Sequence, residues 1–213
     1  MRVQGYYAIL DAAPPLLDDP RALSEAARRL LDGAPCCLQL RAKAAGARAL
    51  LDASRRLLPL CREHQVPFCV NDRLDVAVVA GADVVHLGQD DLPLADALRL
   101  RAELGRPDLV IGFSTHNREQ ARAAAAAGAD YIGFGPVFTT SSKLNPDPTV
   151  GLDALASVCR DVAVPVVAIG GIQLDRVAAV AGAGAAAAAL ISAIAGAPDA
   201  AVAGRQVNAA FAR

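Results

Sequence analysis

The sequence has little net charge of either sign. Its 21 Lys and Arg residues nearly balance its 22 Asp and Glu residues, leaving a net charge of -1. Nucleic acids and anionic membrane surfaces select basic protein surfaces, so this balance argues against both as the main partner. Any local cluster of cations must therefore bind something small.

The sequence also has no apolar run of membrane-spanning length. Charged residues interrupt every run before the ~20 residues that a transmembrane helix needs, and alanine causes much of the mean hydropathy of +0.33. The first four residues lead directly into an apolar run from Tyr6, without the pattern of a signal peptide. We therefore expect a cytoplasmic protein.

Cysteine is scarce, and its spacing carries no metal or disulfide pattern. The five cysteines are odd in number and include no Cys-x-x-Cys pair. This favours buried, reduced thiols over disulfides or a zinc site. The sequence contains no recognisable Ser-His-Asp or Cys-His set, so nothing in it supports covalent hydrolase chemistry.

Hydrophobic residues make up 54% of the 213 residues, enough for a large core. Strand-like and helix-like segments alternate throughout, which predicts one α/β domain over residues 1–213, a (β/α)8 TIM barrel. The predicted strands are 6–10, 36–40, 68–70, 84–87, 110–113, 131–134, 166–169 and 187–191. The predicted helices are 23–31, 47–64, 73–80, 94–104, 118–127, 152–159, 174–181 and about 200–212.

Most of these apolar strands stop at a polar or charged cluster. In a parallel barrel the carboxyl ends of the strands meet at one mouth and build the active site. The sequence therefore predicts that polar residues far apart along the chain lie together in space.

Two cations follow the second predicted strand. Gln39, Arg41 and Lys43 alternate with Leu40 and Ala42, so their side chains share one face of the strand and its exit. A lone Arg at a strand end more often belongs to a structural ion pair. Two cations beside a glutamine favour a polyanion site, because Arg grips phosphate oxygens bidentately and Lys adds a movable charge.

Aspartates follow the third and fourth predicted strands, at Asp72 and at Asp90 and Asp91. Neighbouring strands lie ~5 Å apart, so carboxylates at their ends can converge on one cation. Carboxylates with little nitrogen or sulfur nearby suit Mg²⁺, which keeps waters and bridges to substrate phosphates. The alternative for any single Asp here is a helix N-cap.

The last two strands end in features of a phosphate site. Gly170 and Gly171 follow strand seven, and Ile191 and Ser192 follow strand eight, where barrels of this kind commonly bind phosphate through backbone N–H groups. The long connection 136–151 adds a run of hydroxyl side chains beside a lysine. That run favours an anion-binding loop over a surface excursion.

The ordered set of these motifs resembles the thiamine-phosphate synthase family. The resemblance runs from strand two to strand eight and is carried by Gln39-x-Arg41-x-Lys43, Asn71-Asp72, His86-Leu-Gly-Gln-Asp-Asp91, Ser114-Thr-His116, Gly135-Pro-Val-Phe-Thr-Thr-Ser-Ser-Lys143 and Ile169-Gly-Gly-Ile172. One departure lies in the loop, where the family often has Pro-Thr-x-Thr-Lys and this chain has Thr-Thr-Ser-Ser-Lys.

The resemblance implies a transferase of thiamine biosynthesis that joins a hydroxymethylpyrimidine diphosphate to a thiazole phosphate. It assigns Mg²⁺ to Asp72 and Asp91. It assigns the pyrimidine diphosphate to Gln39, Arg41, Lys43, Asn71, Ser114 and Lys143. It assigns the thiazole phosphate to Thr140, Ser141, Ser142, Gly171, Ile191 and Ser192.

Two other functions compete with this interpretation. A thiazole tautomerase on the same barrel would need a base such as His116 but would have no use for the acidic and basic cluster. A barrel retained as a phosphate-ligand sensor would have lost catalytic charges, and none is missing here. His86 is interpreted as a residue of the barrel lumen, and the sequence leaves open a homo-oligomer.

Overall fold

A computed structural model describes residues 1–140 and 147–212. Within them, eight parallel strands close into a barrel in chain order. The strands are β1 (Gly5–Asp11), β2 (Cys37–Arg41), β3 (Phe68–Asn71), β4 (Val84–Leu87), β5 (Val110–Thr115), β6 (Tyr131–Phe134), β7 (Val166–Ala168) and β8 (Ala187–Leu190). The predicted (β/α)8 barrel is confirmed.

Helices follow the strands and cover the outside of the barrel. They are α1 (Pro20–Leu31), α2 (Ala47–Glu63), α3 (Leu74–Ala80), α4 (Leu94–Glu103), α5 (Arg118–Ala127), α6 (Gly151–Asp161), α7 (Val177–Gly182), α8 (Ser192–Ala195) and α9 (Ala200–Phe211). None of the helices in the described part of the chain is both long and apolar enough to span a membrane.

The predicted elements all occur, with shifted ends. Strand β7 ends one residue early, and strand β8 does too, because the following residues leave extended geometry at Gly170 (φ 87°) and Ile191. The seventh predicted helix begins as a 3-10 turn, Leu174–Arg176. The short helix α8 was not predicted, because four residues are too few to show a helical period.

Successive side chains along each strand point to opposite faces of the barrel wall, which produces two separate hydrophobic cores. One faces the helices and includes Tyr6, Leu38 and Leu40, all fully buried. The other fills the lumen and consists of Tyr7, Cys37, Cys69, Val84, Tyr131, Val167, Ala187 and Ala189. Period-two geometry explains why neighbours such as Tyr6 and Tyr7 lie on opposite sides of the barrel wall.

Helix α9 ties the two ends of the chain together. The Asn208 side chain accepts a hydrogen bond from the Tyr6 backbone N–H at 2.8 Å. Its amide donates to the carbonyls of Gly33 at 3.1 Å and Ala34 at 2.9 Å. One side chain of the last helix therefore holds the first strand and the turn that leads into the second.

The segment after β6 continues the barrel wall beyond the strands. Backbone N–H groups of Val137 and Phe138 donate to the carbonyls of Ile169 and Gly170 at 2.9 and 3.1 Å. This pairing fixes the connection after β6 against the connection after β7. Both connections belong to the mouth at which the strands end.

Candidate active site

A cavity of about 390 Å³ opens at the carboxyl ends of the strands. Its wall includes every proposed site residue that the structure describes: Gln39, Arg41, Lys43, Asn71, Asp72, Asp91, Ser114, Thr140, Gly171, Ile191 and Ser192. Ser141, Ser142 and Lys143, which were also predicted, lie outside the described residues. The remaining set comes from six strand ends and the connection after β6, brought together by barrel closure.

The end of β2 forms the polar, cationic side of this cavity. The buried Gln39 donates its amide N–H to the Asn71 side chain at 3.2 Å, which joins the ends of β2 and β3. The Arg41 guanidinium donates to the Asp11 carboxylate at 2.5 Å. Lys43 follows at the exposed rim.

Asp72 and Asp91 form the acidic part of the same side of the cavity, next to these cations. Their carboxyl groups share a hydrogen bond. Burial and the neighbouring Asp91 raise the pKa of Asp72 to about 7, while Lys43 and Arg41 oppose that shift. The structure thus brings these four charged groups within electrostatic range of one another.

Backbone geometry positions each aspartate. Asp72 adopts a left-handed conformation (φ 64°), which Asp tolerates better than most residues, and its N–H donates to the His86 carbonyl at 2.8 Å. Asp91 accepts a hydrogen bond from the Gly88 N–H at 2.6 Å. The neighbouring Asp90 is exposed at the cavity edge, so Asp91 is the residue that meets Asp72.

His86 lies at the floor of the cavity. Its Nε2 is 2.8 Å from the Ser114 hydroxyl and its Nδ1 is 3.0 Å from the Tyr131 hydroxyl. Burial lowers the pKa of His86 to about 4, so the ring is neutral at pH 7. The prediction that His86 belongs to the lumen agrees with this placement.

Glycines line the side formed by β7 and β8. A Cβ on Gly171 (φ 65°) would lie 2.3 Å from the Thr139 carbonyl oxygen, and one on Gly170 (φ 87°) would lie 2.4 Å from the Pro136 Cβ. The close approach that these glycines permit is therefore to the neighbouring connection. It leaves their backbone exposed to the cavity beside Ile191 and Ser192.

His116 occupies the wall between these two sides. Its Nδ1 donates to the Gly135 carbonyl at 2.6 Å, and its Nε2 lies 3.5 Å from the Asp147 carboxylate. Its backbone N–H donates to Gln120 at 2.7 Å. These contacts engage both ring nitrogens with protein groups.

Two residues of the site were missed from the sequence. Asp11 directly follows the first apolar run, and the strand-end rule that located Asp72 would have found it. Tyr131 begins its strand and carries no such signal. Its ring reaches under the cavity because its strand partner Gly112 has no side chain there.

The fold and this cavity define a class of protein. A closed (β/α)8 barrel with cations, paired carboxylates and a glycine-lined wall at its mouth is built to bind and convert a small phosphorylated substrate. Within that class, the described residues contain no cluster of three metal-binding His, Cys, Asp or Glu side chains.

Comparison with known proteins narrows this class to one family. The family model described as thiamine monophosphate synthase matches residues 6–194. A thiamine-phosphate synthase of Anaeromyxobacter dehalogenans is 49% identical over 99% of this chain and 89% of its own length. One from Chlorobium phaeovibrioides is 49% identical over 83% of each chain.

A solved structure supports the same assignment. The thiamine phosphate pyrophosphorylase of Pyrococcus furiosus superposes with a TM-score of 0.84 at 34% identity, covering 99% of this chain and 96% of its own. The chain belongs to the thiamine monophosphate synthase family.

Proposed function

We propose that this chain joins a hydroxymethylpyrimidine, supplied as its diphosphate, to a thiazole phosphate, forming thiamine phosphate and releasing diphosphate. The observation that carries the proposal is a single cavity with a mixed-charge side at β2–β4 and a glycine-lined side at β7–β8. One side suits a diphosphate leaving group and the other a phosphate monoester. Family membership supports the same two substrates.

Stabilising the leaving diphosphate is the main chemical demand of this reaction. One opposite charge at ~4 Å contributes about 4 kcal/mol at an effective dielectric constant of about 20, before desolvation. A general base typically contributes only ~10²–10⁴-fold, or about 3–5 kcal/mol. We therefore assign stabilisation of the leaving diphosphate to Arg41 and Lys43, and the family resemblance adds Lys143 to this role.

The order of bond changes follows from this assignment. The bond between the pyrimidine methylene carbon and the diphosphate oxygen breaks first, and the electron-rich aminopyrimidine spreads the positive charge. The thiazole nitrogen then forms the new bond to the same carbon, so the electron pair that left with diphosphate is replaced. Gln39, Asn71 and Ser114 hold the pyrimidine half during this exchange.

Asp72 and Asp91 fit a bound Mg²⁺. Two carboxyl groups that share a hydrogen bond, with the pKa of Asp72 raised to about 7, form a pair that a divalent cation would relieve. Mg²⁺ bound there would neutralise charge on the diphosphate oxygens and take its other ligands from water and substrate. Asp11 holds the Arg41 guanidinium at the same side of the cavity.

The opposite side of the cavity would hold the thiazole phosphate. Gly171, Ile191, Ser192 and Thr140 line this part of the cavity, and their backbone N–H groups and the Thr140 hydroxyl would bind the phosphate. Ser141 and Ser142 join this set by family resemblance. The separation of two phosphate sites lets one substrate stay bound while the other loses diphosphate.

The proposed reaction is tested by incubating the protein with both substrates and Mg²⁺ and measuring diphosphate and thiamine phosphate. We expect equal amounts of the two products, and neither without the thiazole phosphate. A thiazole tautomerase would release no diphosphate, and a phosphate-ligand sensor would bind both substrates in calorimetry without turnover. Either result would overturn the proposal.

The metal assignment predicts the behaviour of a double variant. Asp72→Asn combined with Asp91→Asn should abolish Mg²⁺-dependent turnover while leaving the far-ultraviolet circular dichroism unchanged, because both side chains lie at the mouth. Asp90→Asn, which changes the exposed neighbour, is the matched control and should keep its Mg²⁺ dependence. Near-normal turnover of the double variant would contradict the assignment.

A cytoplasmic location and small-molecule substrates, with neither nucleic acid nor membrane as a partner, belong to the same proposal, as does a catalytic role for the whole of residues 1–213. Family membership supports the substrates.

A further inference from the structure

A hydrogen-bond network runs from the cavity into the centre of the barrel. Ser114 Oγ contacts His86 Nε2 at 2.8 Å, His86 Nδ1 contacts the Tyr131 hydroxyl at 3.0 Å, and that hydroxyl contacts the Tyr7 hydroxyl at 2.9 Å. The four residues come from β5, β4, β6 and β1. The network therefore links one predicted substrate-binding hydroxyl to two lumen tyrosines that the mechanism above leaves without a role.

The barrel wall is shaped to hold these rings. A Cβ on Gly112 would lie 2.1 Å from the Tyr131 ring, and one on Gly133 would lie 3.3 Å from the His86 ring. The two rings are tilted by 30° with centroids 5.5 Å apart. Tyr7 and Tyr131 are among the most deeply buried side chains of the described residues. Such packing restricts each ring to one orientation.

We propose that Tyr7 and Tyr131 are positioning residues that hold His86 with its proton on Nε2, and that His86 in turn directs the Ser114 hydroxyl proton toward the pyrimidine substrate. The assignment of Ser114 to that substrate rests on the proposed function. The direction of the hydrogen bonds does not rest on the proposed function, because it follows from the protein alone.

With a neutral imidazole, and with the Tyr131 hydroxyl donating within the network, two directions satisfy all three contacts. In the first, Tyr7 donates to Tyr131, Tyr131 donates to His86 Nδ1, and His86 Nε2–H donates to Ser114. Every acceptor is then an oxygen or a nitrogen. The Ser114 O–H remains free to donate to a substrate acceptor in the cavity.

In the second direction every hydrogen bond is reversed, and the Tyr7 hydroxyl must donate to another buried group. The groups beside it are the thiols of Cys69 and Cys37, both weak acceptors, and the Cys69 S–H itself donates to the Val70 carbonyl at 3.7 Å. A phenol is also a better donor to an imidazole nitrogen than an imidazole N–H is to a phenol oxygen. The first direction is therefore the more stable one.

The tautomer itself can be measured by ¹⁵N NMR on protein labelled at histidine, without any substrate. The chain has only three histidines, so His64→Gln and His116→Gln variants assign the His86 signals by subtraction. At pH 7.5 we expect a protonated, pyrrole-like Nε2 and an unprotonated, pyridine-like Nδ1. A proton on Nδ1, or a doubly protonated ring, would overturn the proposal whatever the enzyme turns over.

Kinetics test the consequence for catalysis. Tyr131→Phe removes the donor to Nδ1 while keeping the ring, and we expect kcat/KM for the pyrimidine diphosphate to fall about ten-fold, the effect of roughly one hydrogen bond. The KM for the thiazole phosphate should stay unchanged, which general loss of structure would not produce. Tyr7→Phe should lower kcat/KM for the pyrimidine diphosphate by a smaller factor, because Tyr7 is one hydrogen bond further from His86 than Tyr131 is.

Tyr6→Phe is the matched control. Tyr6 precedes Tyr7 on β1, is fully buried on the helix side of the wall, and its hydroxyl has no hydrogen-bond partner among the described residues. It should leave kcat/KM within two-fold of the parent. If Tyr131→Phe behaves like Tyr6→Phe, the proposed role is wrong.

A double variant separates positioning from packing. If Tyr131 acts only through Ser114, Tyr131→Phe added to Ser114→Ala should cause no further loss beyond Ser114→Ala alone. Independent, multiplying losses would overturn the proposal. If the parent protein released no diphosphate at all, the proposed function would fail, while the tautomer measurement would still decide this inference.

Discussion

Single residues in this barrel owe their chemistry to burial. Burial disfavours the charged form of both His86 and Asp72, with opposite consequences for proton binding. Burial lowers the pKa of the imidazole to about 4 and raises that of the carboxyl to about 7, since desolvation disfavours whichever form is charged. The two residues therefore make opposite contributions to the pH dependence of stability.

The residue-scale prediction concerns His86→Gln. The unfolded chain takes up a proton on this histidine near the ordinary pKa of 6.5, but the folded protein does so only near 4. The unfolding free energy of the parent should therefore fall, relative to the variant, by about 3 kcal/mol as pH drops through that range. Urea denaturation in Mg²⁺-free buffer at several pH values measures the difference between the two proteins.

The comparison of parent with variant is needed because the Asp72 carboxyl changes the unfolding free energy with pH in the opposite direction to His86. Its folded pKa exceeds the ordinary 3.8, so it stabilises the metal-free protein as pH falls below about 7. That contribution is present in both proteins and cancels. Parallel curves for parent and variant would contradict the low pKa of His86.

At the scale of elements, the connections after β6 and β7 act as one unit. Backbone hydrogen bonds from Val137 and Phe138 hold them side by side, and the Arg176 guanidinium lies 4.6 Å from the centre of the Phe138 ring. Gly171 is one of the residues at which the two connections come into close contact. The shape of the thiazole-phosphate side therefore depends on a contact between loops.

The element-scale prediction is that Gly171→Ala selectively weakens thiazole-phosphate binding. The new Cβ would lie 2.3 Å from the Thr139 carbonyl oxygen at a φ of 65°, so the two connections must separate. Strain of about 1–3 kcal/mol should raise the KM for the thiazole phosphate roughly ten-fold. Steady-state kinetics with each substrate varied in turn measures this effect.

Gly182→Ala supplies the control for that change. Gly182 ends helix α7, and a Cβ there would have no neighbour within 4 Å among the described residues. We expect unchanged kinetics for both substrates. An equal rise of both KM values in Gly171→Ala would show that the contact has no selective role.

At the scale of the whole molecule, closure of the barrel brings the first and last strands together. It pairs β1 with β8, while the pairing of β1 with β2 places Asp11 against Arg41. Asn208 supports this closure from outside, since its side chain joins helix α9 to β1 and to the turn before β2. The contacts between the first and last elements of the barrel therefore affect both the stability of the protein and the geometry of the site.

At this scale we predict that Asn208→Ala lowers the unfolding free energy by about 2–4 kcal/mol, because three backbone groups, two of them in partly buried hydrogen bonds, lose their partner. Gln206→Ala, an exposed position on the same helix, should change it by no more than about 0.5 kcal/mol. Urea denaturation compares the two variants. Equal unfolding free energies for the two variants would show that Asn208 does not support barrel closure.

The sequence by itself determined the barrel and most of the mouth. Eight apolar runs, most of which end in polar residues, specify parallel strands, and the common direction of those strands requires Gln39, Asp72 and Ser114 to lie at the same mouth. Period-two alternation was sufficient here because it is a local property of the backbone.

Only the tertiary structure decided how the site is supported. The pairing of Arg41 with Asp11, the contact of Asp91 with Asp72, and the network from Ser114 to Tyr7 join residues from different strands or their ends. Their partners depend on barrel register and on where a residue such as Gly112 leaves space. The energies involved come from burial and from distances between side chains, and neither exists until the barrel has closed.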